Sequence, residues 1–159
     1  MKKILVMVFI ATAFFCFVMA AAIAGGPVIK PCQVAVYVEK MENKVGTFQG
    51  IKVKVRETDD EFFGYNSFIS LDDLTALGKK FNKSVKYDPK AKMLVVGSKS
   101  LEVVPVKVTK DMEILLNKIR KVEYKGKPYF DLWNVSGGLG FEGVSKMNDG
   151  VLFSAPSKK

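Results

Sequence analysis

The fold is decided by a stretch in the middle of the chain, Phe68-Ile69-Ser70-Leu71-Asp72-Asp73-Leu74-Thr75. Ser70 suits the N-cap of a helix, and the acidic residues that follow it favour the positive end of a helix dipole. Leu71, Leu74 and Leu77 recur at helical spacing. The stretch therefore predicts a short helix that begins after Ser70 and buries a stripe of leucines.

The last third of the chain repeats this pattern in the run Tyr129-Phe130-Asp131-Leu132-Trp133-Asn134-Val135-Ser136. Both runs have an aromatic residue, an apolar residue, a residue able to cap a helix and a leucine, in that order. A hairpin-like turn precedes each run, and a strand pair follows each, with turn signals at Asp88-Pro89 and Asp149-Gly150. The chain thus predicts a unit of hairpin, short helix and hairpin, present twice.

Alternation indicates that most of the remaining chain is strand. In residues 50–57, isoleucine and valine alternate with lysine and arginine, as expected of a strand with one buried face and one wet, basic face. A turn at residues 58–61 breaks the pattern, and Phe62 and Phe63 resume it. We predict an α+β fold of small, mostly antiparallel sheets, each packed by one short helix. The predicted repeats span residues 50–100 and 101–159, after an N-terminal strand extension over residues 25–49.

The first 24 residues have the layout of a secretory signal peptide. Lys2 and Lys3 precede an apolar run, and Ala22-Ile23-Ala24 forms an A-x-A cleavage site. The apolar run is shorter than the roughly 20 residues that span a bilayer, and a retained membrane anchor is the alternative interpretation. The sequence predicts export, no transmembrane span after cleavage, and a periplasmic, cell-surface or secreted location.

Composition excludes several kinds of chemistry. The chain has no histidine, which removes most zinc, copper and iron sites and the Ser-His and Cys-His nucleophile pairs. We expect no catalytic residue, no metal and no cofactor. Cleavage would leave Cys32 as the one cysteine, either buried or paired with a cysteine of another chain. The oligomeric state stays open.

The charge balance is strongly basic, with 25 lysines and arginines against 16 acidic residues and a net charge of +9. An exported protein of this kind is attracted to anionic surfaces such as lipid headgroups or acidic wall polymers. Nucleic acid is not an expected partner outside the cell. The alternative is that these charges only solvate the wet faces of strands.

One basic stretch is interleaved with aromatic side chains, a combination that suits polyanion binding or stacking on sugar rings. The candidate binding residues are Lys118, Arg120, Lys121, Tyr124, Lys125, Lys127, Tyr129 and Trp133. The alternative is a strand with one core face and one wet face, and for Trp133 packing in the core.

The run Tyr124-Lys125-Gly126-Lys127-Pro128-Tyr129-Phe130-Asp131-Leu132, followed by Leu139-Gly140-Phe141, resembles the copper amine oxidase N-terminal-like, or stalk, domain of exported bacterial proteins. That family's usual pattern is a Lys-Gly-Lys turn, an aromatic pair, Pro-Leu, a short helix and Leu-Gly; Asp131 stands where the family often has proline. The resemblance covers two degenerate repeats. It implies an accessory role without the catalytic oxidase domain, its copper and its quinone.

These patterns predict an exported, non-catalytic binding or scaffolding module of the bacterial cell envelope. Its basic strand faces would contact an anionic wall polymer or an envelope protein. The alternative is a small envelope hydrolase that uses paired carboxylates. The hydrolase hypothesis predicts a cleft with two acids close together, at least one of them with a perturbed pKa.

Overall fold

Strands dominate the part of the chain that the computed structural model describes, residues 26–156. The strands are β1 (Ile29–Val38), β2 (Lys40–Lys54), β3 (Tyr65–Ser70), β4 (Val85–Asp88), β5 (Met93–Val96), β6 (Lys99–Pro105), β7 (Lys118–Tyr124), β8 (Lys127–Asp131), β9 (Gly143–Met147) and β10 (Gly150–Ser154). They are joined by the helices α1 (Glu61–Gly64), α2 (Leu71–Lys80) and α3 (Ser136–Leu139) and by a 3-10 turn, Leu132–Asn134. The predicted signal peptide, residues 1–24, lies outside the described residues. None of the helices in residues 26–156 has the length and apolar character of a membrane span.

All ten strands belong to one mixed sheet, in the order β4-β5-β6-β7-β8-β3-β2-β1-β10-β9. Neighbouring strands are antiparallel except for β6–β7 and β1–β10, which are parallel. The predicted α+β class, with small sheets each packed by a helix, is therefore wrong. The physical reason is that the hairpin after each helix continues the same sheet. The β4–β5 hairpin pairs with β6, and the β9–β10 hairpin pairs with β1, which covers strand edges that would otherwise stay open.

The strand order is symmetric about the pairing of β3 with β8. Ile69 lies opposite Phe130, and these two residues hold equivalent positions in the two sequence runs. The halves therefore meet as two subunits meet across a twofold axis. Outward from this pair, β2 corresponds in position to β7, β1 to β6, and the β9–β10 hairpin to the β4–β5 hairpin. The symmetry fails at β1 and β6: β1 is antiparallel to β2 and parallel to β10, whereas β6 is parallel to β7 and antiparallel to β5.

Two apolar cores cover the two faces of the sheet. The larger core contains Leu74 and Leu77 of α2, together with Leu94 of β5 and Phe153 of β10. Since β5 and β10 lie towards opposite ends of the strand order, the sheet must curl around this core. The smaller core occupies the other face. Its buried members are Ile51, Val53, Val55, Phe68 and Val122.

Each helical segment that follows a central strand starts on a capping side chain. Ser70 accepts a hydrogen bond from the backbone N–H of Asp73 at 3.2 Å, so the predicted N-cap of α2 is confirmed. Asp131, at the equivalent position after β8, accepts one from the N–H of Trp133 at 2.9 Å. The strand predicted at Phe62 and Phe63 is wrong, because these residues form α1.

The parallel junction between β1 and β10 depends on Gly150. Gly150 pairs with Ala35, whose N–H donates to the carbonyl of Asp149 at 2.7 Å. A Cβ atom added at Gly150 would overlap the carbonyl oxygen of Ala35 and lie 2.7 Å from its backbone nitrogen. Backbone atoms cannot turn aside as a side chain can, so only glycine fits here.

We predict that Gly150→Ala lowers the free energy of unfolding by at least about 3 kcal/mol, because the β1 backbone must move to accept the methyl group. Urea unfolding followed by circular dichroism measures the loss. Gly143→Ala is the matched control on the same hairpin, since its added Cβ meets only the Ser154 side chain, at 3.3 Å. Equal stabilities of the two variants would contradict this account of the junction.

Candidate functional site

A pocket of about 370 Å³ lies where β2 ends and β3 and β7 begin. Its volume falls in the range of small-ligand sites. The lining residues are Val55, Arg56, Phe62, Phe63, Asn66, Met112, Glu113, Arg120, Trp133, Val144, Ser145 and Lys146. We call it the cationic pocket, because Arg56, Arg120 and Lys146 all belong to its wall.

Local structure explains how α1 comes to form one side of this pocket. The Asp60 side chain accepts hydrogen bonds from the N–H groups of Phe62 and Phe63, at 2.8 and 3.1 Å, and so caps a single helical turn. The turn leaves both phenylalanine rings exposed at the pocket, in edge-to-face contact with centroids 5.1 Å apart. Residues 106–117 contribute Met112 and Glu113 to the pocket wall, and the hydrogen bond from the N–H of Thr109 to the carbonyl of Val55, at 3.1 Å, ties this segment to the end of β2.

A buried ion pair lies behind the pocket wall. Asp131 is fully buried, and one of its oxygens accepts hydrogen bonds from Arg120 at 3.0 Å and from Asn66 at 2.9 Å. The other oxygen accepts from the N–H of Trp133. Burial raises the pKa of the Asp131 carboxyl, and the charge of Arg120 and these donors oppose the rise. Both oxygens are occupied, so the role of Asp131 is to hold Arg120 in place.

The guanidinium of Arg120 is only partly satisfied by its neighbours. Its residue is 6% exposed; Nη1 binds Asp131, and Nη2 lies 3.6 Å from the carboxylate of Glu113, beyond hydrogen-bond length. The Nε atom is buried and has no hydrogen-bond partner among residues 26–156, and the Nε atom of Arg56 is in the same condition. A buried charged donor without an acceptor is costly, so these two atoms point to a missing acceptor.

Lys146 completes the positive wall of the pocket from β9. Its Nζ donates to the backbone carbonyls of Phe62 and Phe63, at 3.2 Å each. Burial, with the nearby charges of Arg56 and Arg120, lowers the pKa of Lys146 to about 8. Three cations thus share the site with two carboxylates, Glu113 in the wall and Asp131 behind it. The pocket therefore has an excess of positive charge, which a bound anion would neutralise.

The structure does not bring the eight predicted binding residues into one surface. Arg120 and Trp133 line the cationic pocket. Arg120 is not the exposed cation that its basic stretch suggested, because it is buried and paired with Asp131. Trp133 is half-buried at the pocket wall.

The other six candidate residues lie away from the pocket. Lys118 pairs with Glu102, and Lys121, on the opposite face of β7 from Arg120, pairs with Glu123. The remaining four surround the β7–β8 turn, where the rings of Tyr124 and Tyr129 meet edge to face. Lys125 lies over the ring of Tyr124, and Lys127 pairs with Asp72.

Other expected features can be located as well. Cys32 is half-buried at the margin of the larger core, and burial raises the pKa of its thiol. Within residues 26–156, no group of three or more Cys, Asp and Glu side chains is placed to hold a metal ion. The sequence reasoning missed Arg56, Asn66 and Lys146 as pocket residues. The one signal that could have pointed to this place is Asp131, a carboxylate where the resembled family often has proline.

Comparison with known proteins finds no family model, no curated protein and no solved structure that matches the chain. The stalk-domain resemblance and the repeat limits drawn from it therefore stay predictions.

We predict that Asp131→Ala lowers the free energy of unfolding by about 3–5 kcal/mol, because Arg120 stays buried without its partner. Ser70→Ala is the matched control at the equivalent cap position, and losing that cap alone costs about 1 kcal/mol. Adding Arg120→Met to Asp131→Ala should restore part of the stability. Equal losses for the two single variants in chemical denaturation would reduce Asp131 to a helix cap.

Proposed function

We propose that this chain is an exported, non-catalytic binding module of the cell envelope, and that its cationic pocket binds the anionic group of its ligand. The two buried guanidinium Nε atoms, which have no acceptor within the described residues 26–156, support this assignment above all. Export and the envelope location rest on the N-terminal sequence pattern, and they belong to the same proposal.

The geometry of Arg120 favours a carboxylate or a phosphate as the anionic group. Asp131 occupies only Nη1, so the edge formed by Nε and Nη2 keeps two N–H donors in parallel. Carboxylate and phosphate oxygens match this edge in a bidentate manner. Lys146, which lines the same pocket, adds a compact positive charge.

Glu113 acts as an internal substitute for the ligand. It reaches Arg120 from the exposed segment 106–117 and stops at 3.6 Å, with its side chain 44% exposed. A contact of this length between partly solvated groups is weak. The incoming anion displaces Glu113 and opens the Nε–Nη2 edge of Arg120.

Binding is favoured over the hydrolase alternative by the position of the carboxylates. Asp131 and Glu113 both approach Arg120, so they are the nearest approximation to a catalytic pair here. Asp131, however, is fully buried and uses both oxygens to accept hydrogen bonds. It cannot also reach a substrate, which leaves Glu113 alone in the pocket wall.

We predict that benzoate quenches or shifts the fluorescence of Trp133, the chain's one tryptophan, in a saturable way, whereas neutral benzyl alcohol does not. Arg56→Gln should weaken benzoate binding roughly tenfold or more, since a charge-assisted hydrogen bond contributes about 1.5–3 kcal/mol. Lys118→Gln is the control, because Lys118 is exposed and lies outside the pocket. If Lys118→Gln weakens binding as much as Arg56→Gln, surface charge rather than the pocket is responsible.

We also predict that benzoate affinity falls about tenfold between about pH 7 and about pH 9.5, because Lys146, with its pKa of about 8, loses its proton in that range. The arginines stay charged throughout, so binding weakens without vanishing. Fluorescence titrations at a series of pH values measure the change. Lys146→Gln should bind weakly and without this pH dependence; an unchanged pH profile in that variant would remove Lys146 from the site.

A further inference from the structure

A second, larger cavity adjoins the cationic pocket. It has a volume of about 680 Å³ and shares Met112, Glu113 and Trp133 with the pocket. The shared wall residues make the two spaces neighbours, and we call the two together the long groove. A ligand whose charged end lies at Arg120 would have to pass these shared residues to enter the second cavity.

The two parts of the long groove are lined by different side chains and therefore suit different groups of a ligand. Beside its cations, the cationic pocket offers the apolar side chains of Phe62, Phe63 and Val144. The second cavity mixes apolar side chains with polar ones, including Asn134, whose Oδ1 atom is buried without a hydrogen-bond partner among residues 26–156. Within residues 26–156, the buried Nε donors of the cationic pocket thus lack an acceptor, and the buried Oδ1 acceptor of the second cavity lacks a donor.

The second cavity is lined in part by apolar side chains that are exposed to solvent. Met112, Ile114 and Leu116 are 65, 81 and 78% exposed. They belong to a segment without regular secondary structure, and all three line the second cavity. Large apolar side chains that cluster at the edge of a groove mark a contact surface for a partner.

We propose that the long groove binds the carboxyl-terminal end of a peptide whose last side chain is apolar; this rests on the anion-binding function proposed above. The terminal carboxylate displaces Glu113 and binds the Nε–Nη2 edge of Arg120, with Lys146 nearby. The last side chain packs against Phe62 and Phe63. The preceding residues pass Trp133, and a backbone N–H donates to Oδ1 of Asn134.

A peptide end supplies the required groups in the required order. It has a carboxylate, then an apolar side chain, then N–H donors at regular intervals along an extended chain. A fatty acid has the carboxylate and the apolar chain but offers no donor to Asn134. An acidic glycan has donors and charge but gains little from the apolar walls beside Arg56.

The experiment compares three acids by Trp133 fluorescence with the full exported chain: benzoate, decanoate, and an acetylated hexapeptide acid that ends in alanine-phenylalanine. We expect the hexapeptide acid to bind at least tenfold more tightly than benzoate. The same peptide with a carboxyl-terminal amide should bind at least tenfold more weakly than the acid. Calorimetric titration gives an independent readout of the same affinities.

Variants separate the two parts of the groove. Asn134→Leu and Ile114→Ser should weaken the hexapeptide acid at least threefold and leave benzoate unchanged. Met41→Ser is the matched control for Ile114→Ser, because Met41 is 61% exposed and lies outside both cavities. Thermal unfolding of each variant confirms that it is folded.

The possible failures are distinguishable. If no acid binds, the anion-binding function itself fails. If benzoate binds but the hexapeptide acid binds no more tightly, or its amide binds equally well, the peptide proposal is overturned while anion binding stands. If decanoate matches the hexapeptide acid and Asn134→Leu changes neither affinity, the groove is an acyl-chain site and the peptide proposal is wrong.

Discussion

The antiparallel ladder between β3 and β8 holds the two halves of this structure together. Its register sets Ile69 against Phe130, so that equivalent positions of the two sequence runs meet at the centre of the sheet. Every other strand takes its place outward from that pair. The same register puts the two capping residues, Ser70 and Asp131, at opposite ends of the ladder. A serine at one end makes a plain helix cap, whereas an aspartate at the other also pairs with Arg120, and the cationic pocket lies beside that ion pair.

The features of the fold that the sequence predicted are local ones. The cap at Ser70 and the leucine stripe after it depend on neighbouring residues, and so do the hairpin turns at Asp88-Pro89 and Asp149-Gly150. The single ten-stranded sheet depends instead on which distant strands pair. Parallel pairs such as β1–β10 are joined by no turn and leave no short-range signal. The turn residues therefore predicted these two hairpins correctly and their arrangement in the sheet wrongly.

The candidate site was harder to predict than the fold, because several separate segments build it. Charge and aromatic character point to Arg120 and Trp133, and both line the pocket, but the burial of Arg120 follows from Asp131 on the next strand. Lys146 has no distinguishing neighbours in sequence. Its lowered pKa comes from its position against α1 and the arginines, which only the assembled sheet brings about. Charge patterns identify cations, and tertiary packing decides which of them lack a counter-charge.

The parallel pairing of β1 with β10 also determines how the molecule bears tension. β1 lies near one end of the described chain and β10 near the other, and because they are parallel, their outer ends point in opposite directions along the sheet. A pull on the two ends therefore loads the hydrogen bonds between Ala35–Val38 and Gly150–Phe153 in shear, all at once, rather than unzipping them singly. Such a clamp resists stretching far better than a hairpin opened from its end. Resistance to a pull on the two ends of the described chain therefore follows from the topology itself.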